Sequence, residues 1–201
     1  MILENKLGIT DQIELAKAEE RISKLKARQL WDSGEISQVE IGLFSGLAAI
    51  HAYLFGDIYP FAGVIRTVNI SKGNIRFAPL MYLETALENI DDMPQNTYEQ
   101  ILEKYVEMNI AHPFREGNGR AMRIWLDLML KKEIRKVVDC NQVDKEEYLS
   151  AMERSVVKDL EIKSLLGQAL TDQIEDRALF MKGLDVSYYY EGYSDFKTEE
   201  L

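Results

Sequence analysis

A single cysteine, Cys140, stands among 201 residues. That excludes an internal disulfide and a cysteine-built zinc site, and the residue reads as a buried structural thiol. Histidine is nearly as scarce, with two in the chain, His51 and His112. Basic charge is outweighed, 24 Lys and Arg against 34 Asp and Glu, for a net charge of −10. With no basic tract, non-specific nucleic-acid binding is excluded. Nor is there a basic N-terminal segment followed by an apolar run, so no signal peptide is expected. The longest stretch without formal charge, Ile41 to Gly56, is shorter than the ~20 residues that span a bilayer. It is also interrupted by Ser45, His51 and Tyr53. A soluble, cytoplasmic protein with no membrane partner is expected. There is no internal repeat and no long linker, and the length fits one domain with appendages. With 46% hydrophobic residues the chain can bury a full core.

What is present concentrates in His112-Pro113-Phe114-Arg115-Glu116-Gly117-Asn118-Gly119-Arg120, followed by Ala121-Met122-Arg123. Ile101, Tyr105 and Met108 recur at helical spacing before it, and Met122, Trp125, Leu126 and Met129 after it. The polar run is therefore a tight loop between two packed helices, with Gly117-Asn118-Gly119 opening the second. A glycine-rich turn at a helix N-terminus presents unpaired N–H groups and the positive end of the dipole, and a phosphate can approach it closely. Arg120 and Arg123 lie three apart and can converge on one anion. Glu116 suits a hard cation such as Mg²⁺ riding on phosphates. His112 titrates near neutrality and can take a proton from an attacking hydroxyl. Together these point to phosphoryl or nucleotidyl transfer. Singly, Glu116 with Arg120 would be an ordinary i,i+4 surface pair.

The run resembles the signature of the Fic family, H-x-F-x-[D/E]-G-N-G-R-x-x-R, at every specified position. The resemblance implies a protein adenylyltransferase that moves AMP from ATP to a protein hydroxyl. By it, His112 is the general base and Phe114 anchors the loop. Glu116 holds Mg²⁺ between the α- and β-phosphates. Asn118, with the N–H groups around Gly117 and Gly119, binds phosphate oxygens, while Arg120 and Arg123 take the β- and γ-phosphates. It also implies a mostly α fold, a Fic-type helical bundle with one β-hairpin flap over the active site.

Along the chain, Asp11–Ser33 reads as an amphipathic helix with a stripe of Leu15, Ala18, Ile22 and Leu25, dense charges on a solvated face, and Gly34 ending it. Ser37-Gln38-Val39-Glu40 reads as a capping box opening a helix to about Leu54. That helix carries His51, taken as a satisfied core or supporting histidine. Val64–Ile70 and Ile75–Phe77, around Ser71-Lys72-Gly73-Asn74, form the one convincing hairpin. As the flap of the resemblance (about 64–77), its Val68, Asn69, Ile70, Asn74, Ile75, Arg76 and Phe77 would dock the target segment by main-chain pairing. Pro79 opens a helix with Leu83, Leu87 and Ile90, and Thr97–Gln100 caps the next. The signature helix runs to about Lys132. Asp144–Glu147 opens another helix, and Asp159–Leu170 and Asp172–Met181 continue the helical pattern.

Ser187-Tyr188-Tyr189-Tyr190-Glu191-Gly192 reads as a short helical turn. Ser187, Glu191 and Gly192 fit the inhibitory-helix pattern [S/T]-x-x-x-E-[G/N] of many Fic proteins. The resemblance then divides the chain into a Fic domain (1–183), an inhibitory helix (184–193) and a polar tail (194–201). It implies that Glu191 pairs with Arg123 and blocks productive ATP binding, and that Tyr188, Tyr189 or Tyr190 is open to automodification. Alternatives stay open: de-AMPylation with Glu191 activating water, in which another divalent ion could replace Mg²⁺, a different nucleotide donor, or a non-catalytic peptide-binding module. The target protein and any homo-oligomer are not readable.

Overall fold

The computed structural model describes residues 2–72 and 75–201. It is a helical bundle of α1 (Gln12–Asp32), α2 (Phe44–Phe55), α3 (Leu80–Asp91), α4 (Tyr98–Ala111), α5 (Asn118–Ile134), α6 (Lys145–Ser155), α7 (Leu160–Gln168) and α8 (Arg177–Tyr190). Strands β1 (Ser71–Lys72) and β2 (Ile75–Arg76) pair antiparallel as the expected hairpin. It is shorter than Val64–Ile70 suggested, because residues 64–70 run as irregular chain. A second antiparallel pair, β3 (Val137–Val138) with β4 (Leu170–Thr171), went unread.

Helix α5 is the axis. It buries Ala121, Met122, Ile124, Trp125, Leu126 and Met129 around much of its circumference, which marks a helix enclosed by others. α2, α4 and α8 pack against it. α2 begins seven residues later than the Ser37 box predicted. Its first N–H groups are met from afar, with Asp91 Oδ1 accepting from Phe44 N at 2.6 Å. The Glu40 carbonyl folds so closely over the first turn that a Cβ on Gly46 would collide with it.

The charges of α1 are only partly a solvated face: Glu14, Lys17 and Arg21 are exposed, but Glu19, Glu20 and Lys24 are 1–2% exposed. They are buried because each has a partner: Glu19 on Arg120, and Lys24 on Glu20 at 2.9 Å and Asp185 at 3.1 Å. The polar tail packs on the same groups. Lys24 Nζ donates to Phe196 O at 2.6 Å, and Glu20 accepts from the Asp195 and Phe196 N–H groups. Thr198 is fully buried against Asp185. Helix α8 starts at Arg177 rather than Asp172, capped by Asp176, and runs through Gly183 and Ser187 without a break. The expected boundary at 183/184 thus falls inside one helix.

Candidate active site

The loop between α4 and α5 is built by side chains that spend their polarity on its backbone. Helix α4 ends as His112 turns left-handed (φ 49°). Phe114 is fully buried, stacked on the His51 ring at 3.9 Å. Asn118 Oδ1 accepts from Phe114 N at 2.9 Å while its Nδ2 donates to Phe114 O at 2.8 Å. The amide that was expected to bind phosphate therefore closes the turn. Gly117 needs to be glycine twice over: its φ is 78°, and a Cβ would stand 2.6 Å from the Phe55 ring. His51 fulfils the supporting role. Its Nδ1 accepts from Gly63 N at 2.9 Å and its Nε2–H donates to Glu116 O at 2.7 Å. Burial pulls its pKa down to about 4, so it works as the neutral tautomer.

His112, Glu116, Gly119, Arg123, Tyr148 and Glu191 border one cavity of about 930 Å³. His112 Nδ1 lies 3.3 Å from the Asn109 carbonyl, which places the proton on Nδ1 and the lone pair on Nε2. Its ring stacks on Phe77, at the foot of the hairpin, with centroids 3.6 Å apart. Glu116 Oε1 accepts from Gly117 N at 3.0 Å and from Arg120 at 3.1 Å, and 41% of the side chain is exposed.

The two arginines border the same cavity but have different partners. Arg120 is 1% exposed, pairs with Glu19 and Glu116, and lies against the Phe55, Tyr188 and Tyr193 rings. Arg123 lies between the Tyr148 and Tyr190 rings at 4.3 and 4.4 Å. Arg123 and Glu191 border the same cavity. The Glu191 carboxylate rests over the N-terminus of α5, its Oε1 only 2.7 Å from where a Gly119 Cβ would stand. Glu191 caps α8, and Gly192 (φ 94°) turns the chain. Gly192 N donates to Tyr189 O and Tyr193 N to Tyr188 O, the two bonds of a Schellman motif. Ser187 is buried.

Of the three tyrosines, Tyr188 and Tyr190 are buried and only Tyr189, 53% exposed, faces solvent, which narrows the automodification reading. In the hairpin, Ile70 and Phe77 border the cavity and Val68 and Arg76 are exposed. Asn69 instead caps α3, accepting from Leu80 N at 2.8 Å. Asn74 lies outside the described residues, and Ile75 is placed by its β2 backbone. Sequence reasoning missed Glu19, hidden in a charged helix, and Arg66, whose only signal was a cation inside an alternating apolar run.

A model described as the Fic/DOC family matches residues 44–130, from α2 through most of α5. The chain carries a Fic/DOC family domain. It is 30% identical over 178 residues to the protein adenylyltransferase VbhT of Bartonella schoenbuchensis, covering 82% of this chain but 36% of VbhT. It is 29% identical over 171 residues to the probable protein adenylyltransferase y4lH of Sinorhizobium fredii, covering 79% and 85% of the two chains. The fold matches the crystal structure of BepC, a VirB-translocated effector of Bartonella tribocorum with bound AMPPNP. There the TM-score is 0.69 at 19% identity, over 86% of this chain and 94% of that one. Against the Fic/DOC match, Glu19, Glu191 and the C-terminal strap lie outside the matched residues, although they bound the same cavity or anchor its wall. No helix among the described residues is long and apolar enough to cross a membrane.

Proposed function

We propose that the chain is an autoinhibited protein adenylyltransferase. The observation that carries the reading is the placement of His112, the N-terminus of α5 and the Glu191 carboxylate on one cavity. His112 Nε2 takes the proton of a target hydroxyl as its oxygen attacks the α-phosphorus of ATP, and pyrophosphate leaves. N–H groups at Gly117–Gly119 stabilise the charge that develops on the transferred group. Among the described residues no cluster of three or more His, Cys, Asp or Glu could hold a metal alone. The partly exposed Glu116 fits a Mg²⁺ shared with substrate phosphates, which would neutralise their charge. The target segment pairs with the hairpin, and Tyr189 is the tyrosine of the C-terminal run open to self-modification.

Inhibition in this reading is competition at the helix N-terminus itself. A carboxylate over Gly119 occupies the ground a phosphate needs. The test is AMP transfer from labelled ATP into lysate protein by wild type, Glu191→Gly and Glu191→Gly/His112→Ala. Strong labelling by Glu191→Gly alone supports the reading, and labelling by wild type equal to Glu191→Gly sinks the brake. A second reading draws on the same placement of Glu191 beside the phosphate ground: its carboxylate activates water to remove AMP from a modified target. Loss of AMP from pre-labelled protein, abolished by Glu191→Gly, would identify it.

A further inference from the structure

Arg66 is 3% exposed, and among the described residues no carboxylate pairs with it. Its guanidinium is spent wholly on carbonyls. Nε donates to His112 O at 2.9 Å and Nη2 to Ala111 O at 3.2 Å, both at the C-terminus of α4. Nη1 donates to Val68 O at 2.7 Å and Nη2 to Ala78 O at 2.5 Å, the two feet of the hairpin. The main chain joins in, with Arg66 N donating to Pro113 O at 2.8 Å and Ala78 N to Ile110 O at 2.9 Å. The negative end of the α4 dipole thus stands in for a counter-ion.

We infer that Arg66 is a positioning residue that locks the flap and the general base into one rigid unit. His112 occupies a left-handed conformation that a side-chain-bearing residue adopts only when its surroundings enforce it. Arg66 enforces it by holding the carbonyl of His112 itself and those on either side. The same planar fork fixes the hairpin feet, and so keeps Phe77 stacked on the imidazole. The phosphate ground at α5 is held by other groups, His51 and Asn118. Loss of Arg66 therefore misaims the base without removing the site for ATP. Lysine cannot substitute, since one ammonium cannot span four carbonyls in fork geometry.

The kinetic arm of the test rests on the transfer reaction proposed above; the spectroscopic arm does not. In a Glu191→Gly background, Arg66→Lys is expected to lower kcat for AMP transfer about 10- to 100-fold with the KM for ATP changed less than about threefold. With two histidines in the chain, the imidazole proton signals of the full-length protein are assigned by His112→Ala. In Arg66→Lys the His112 signal should lose the ring-current shift of Phe77 while that of His51 stays in place. An unmoved His112 signal with undiminished kcat overturns the inference. So does joint movement of both histidines with a fallen melting temperature, which would mean a merely structural arginine. Should Arg66→Lys not fold, Arg66→Gln carries the same readouts. If Glu191→Gly itself transfers no AMP, the adenylyltransferase reading fails and the His112 signal still decides the role of Arg66.

Discussion

Glu19 and Arg120 show how a residue from a signature position can be claimed by the core. Arg120 follows the loop glycines, yet its guanidinium points away to α1, where Glu19 also accepts from the Tyr59 hydroxyl. Both charges are 1% exposed. Taking Arg120 away leaves Glu19 buried without its cation, and taking Glu19 away leaves Arg120 with only the partly exposed Glu116; breaking such a buried pair costs up to about 3–5 kcal/mol, whereas removing both together costs far less. Glu19→Ala is therefore expected to be strongly destabilising in urea unfolding, and Glu19→Ala/Arg120→Met to recover part of the loss. Equal stability of Glu19→Ala and wild type would show that the pair contributes nothing. Asn118 obeys the same logic, since its side chain is committed to Phe114 and only its backbone remains for a phosphate. The residue types of the loop were readable because each chemistry has few candidates. Their directions were not, because a side chain's aim is set by partners as distant in sequence as Glu19.

Whole elements divide along the same line. Helices α1, α4 and α6 start where their sequences say, because Asp11, Thr97 and Asp144 cap their own first turns. Helix α2 does not, since its cap, Asp91, is 47 residues away. The β3–β4 pair was invisible because two-residue strands carry no period and find each other only across the fold. At the end of α8 the local rule holds again. Gly192 sits at φ 94°, which β-branched residues avoid and asparagine tolerates. Gly192→Val should break the Schellman turn, displace Glu191 and raise AMP transfer toward the Glu191→Gly level, while Gly192→Asn should keep wild-type inhibition. If valine and asparagine behave alike in the labelling assay, the turn does not aim the carboxylate. The strap held by Glu20, Lys24 and Asp185 comes directly after this turn, so it fixes the far side of the same hinge.

At the scale of the molecule, the buried His51 and the half-buried Asp127 act on stability with opposite sign. His51 has a pKa of about 4, below its ordinary 6.5, because burial disfavours the charged ring. Its contribution is complete above pH 6.5 and is lost as pH falls toward 4, since the unfolded chain takes up a proton that the native one refuses. Asp127, on α5 one turn beyond Arg123, is pushed the other way. Burial raises its carboxyl from 3.8 to about 7 against the bond from Val138 N and the nearby arginine. In the window from 4 to 6.5 the native state thus holds an extra proton on Asp127 and lacks one on His51, and the two slopes nearly cancel. Wild type should therefore show little pH dependence from these groups there. Asp127→Asn keeps an oxygen for Val138 N and removes one of the opposing slopes. Its urea midpoint should exceed that of wild type at pH 8, where the native carboxylate would otherwise be charged in its desolvated place. On acidification from 6.5 to 4 the variant should lose stability at roughly 1.4 kcal/mol per pH unit more steeply than wild type, the slope of one proton. A variant that tracks wild type at every pH would mean that Asp127 ionises without penalty, and that the interior beneath Arg123 is wetter than its packing implies.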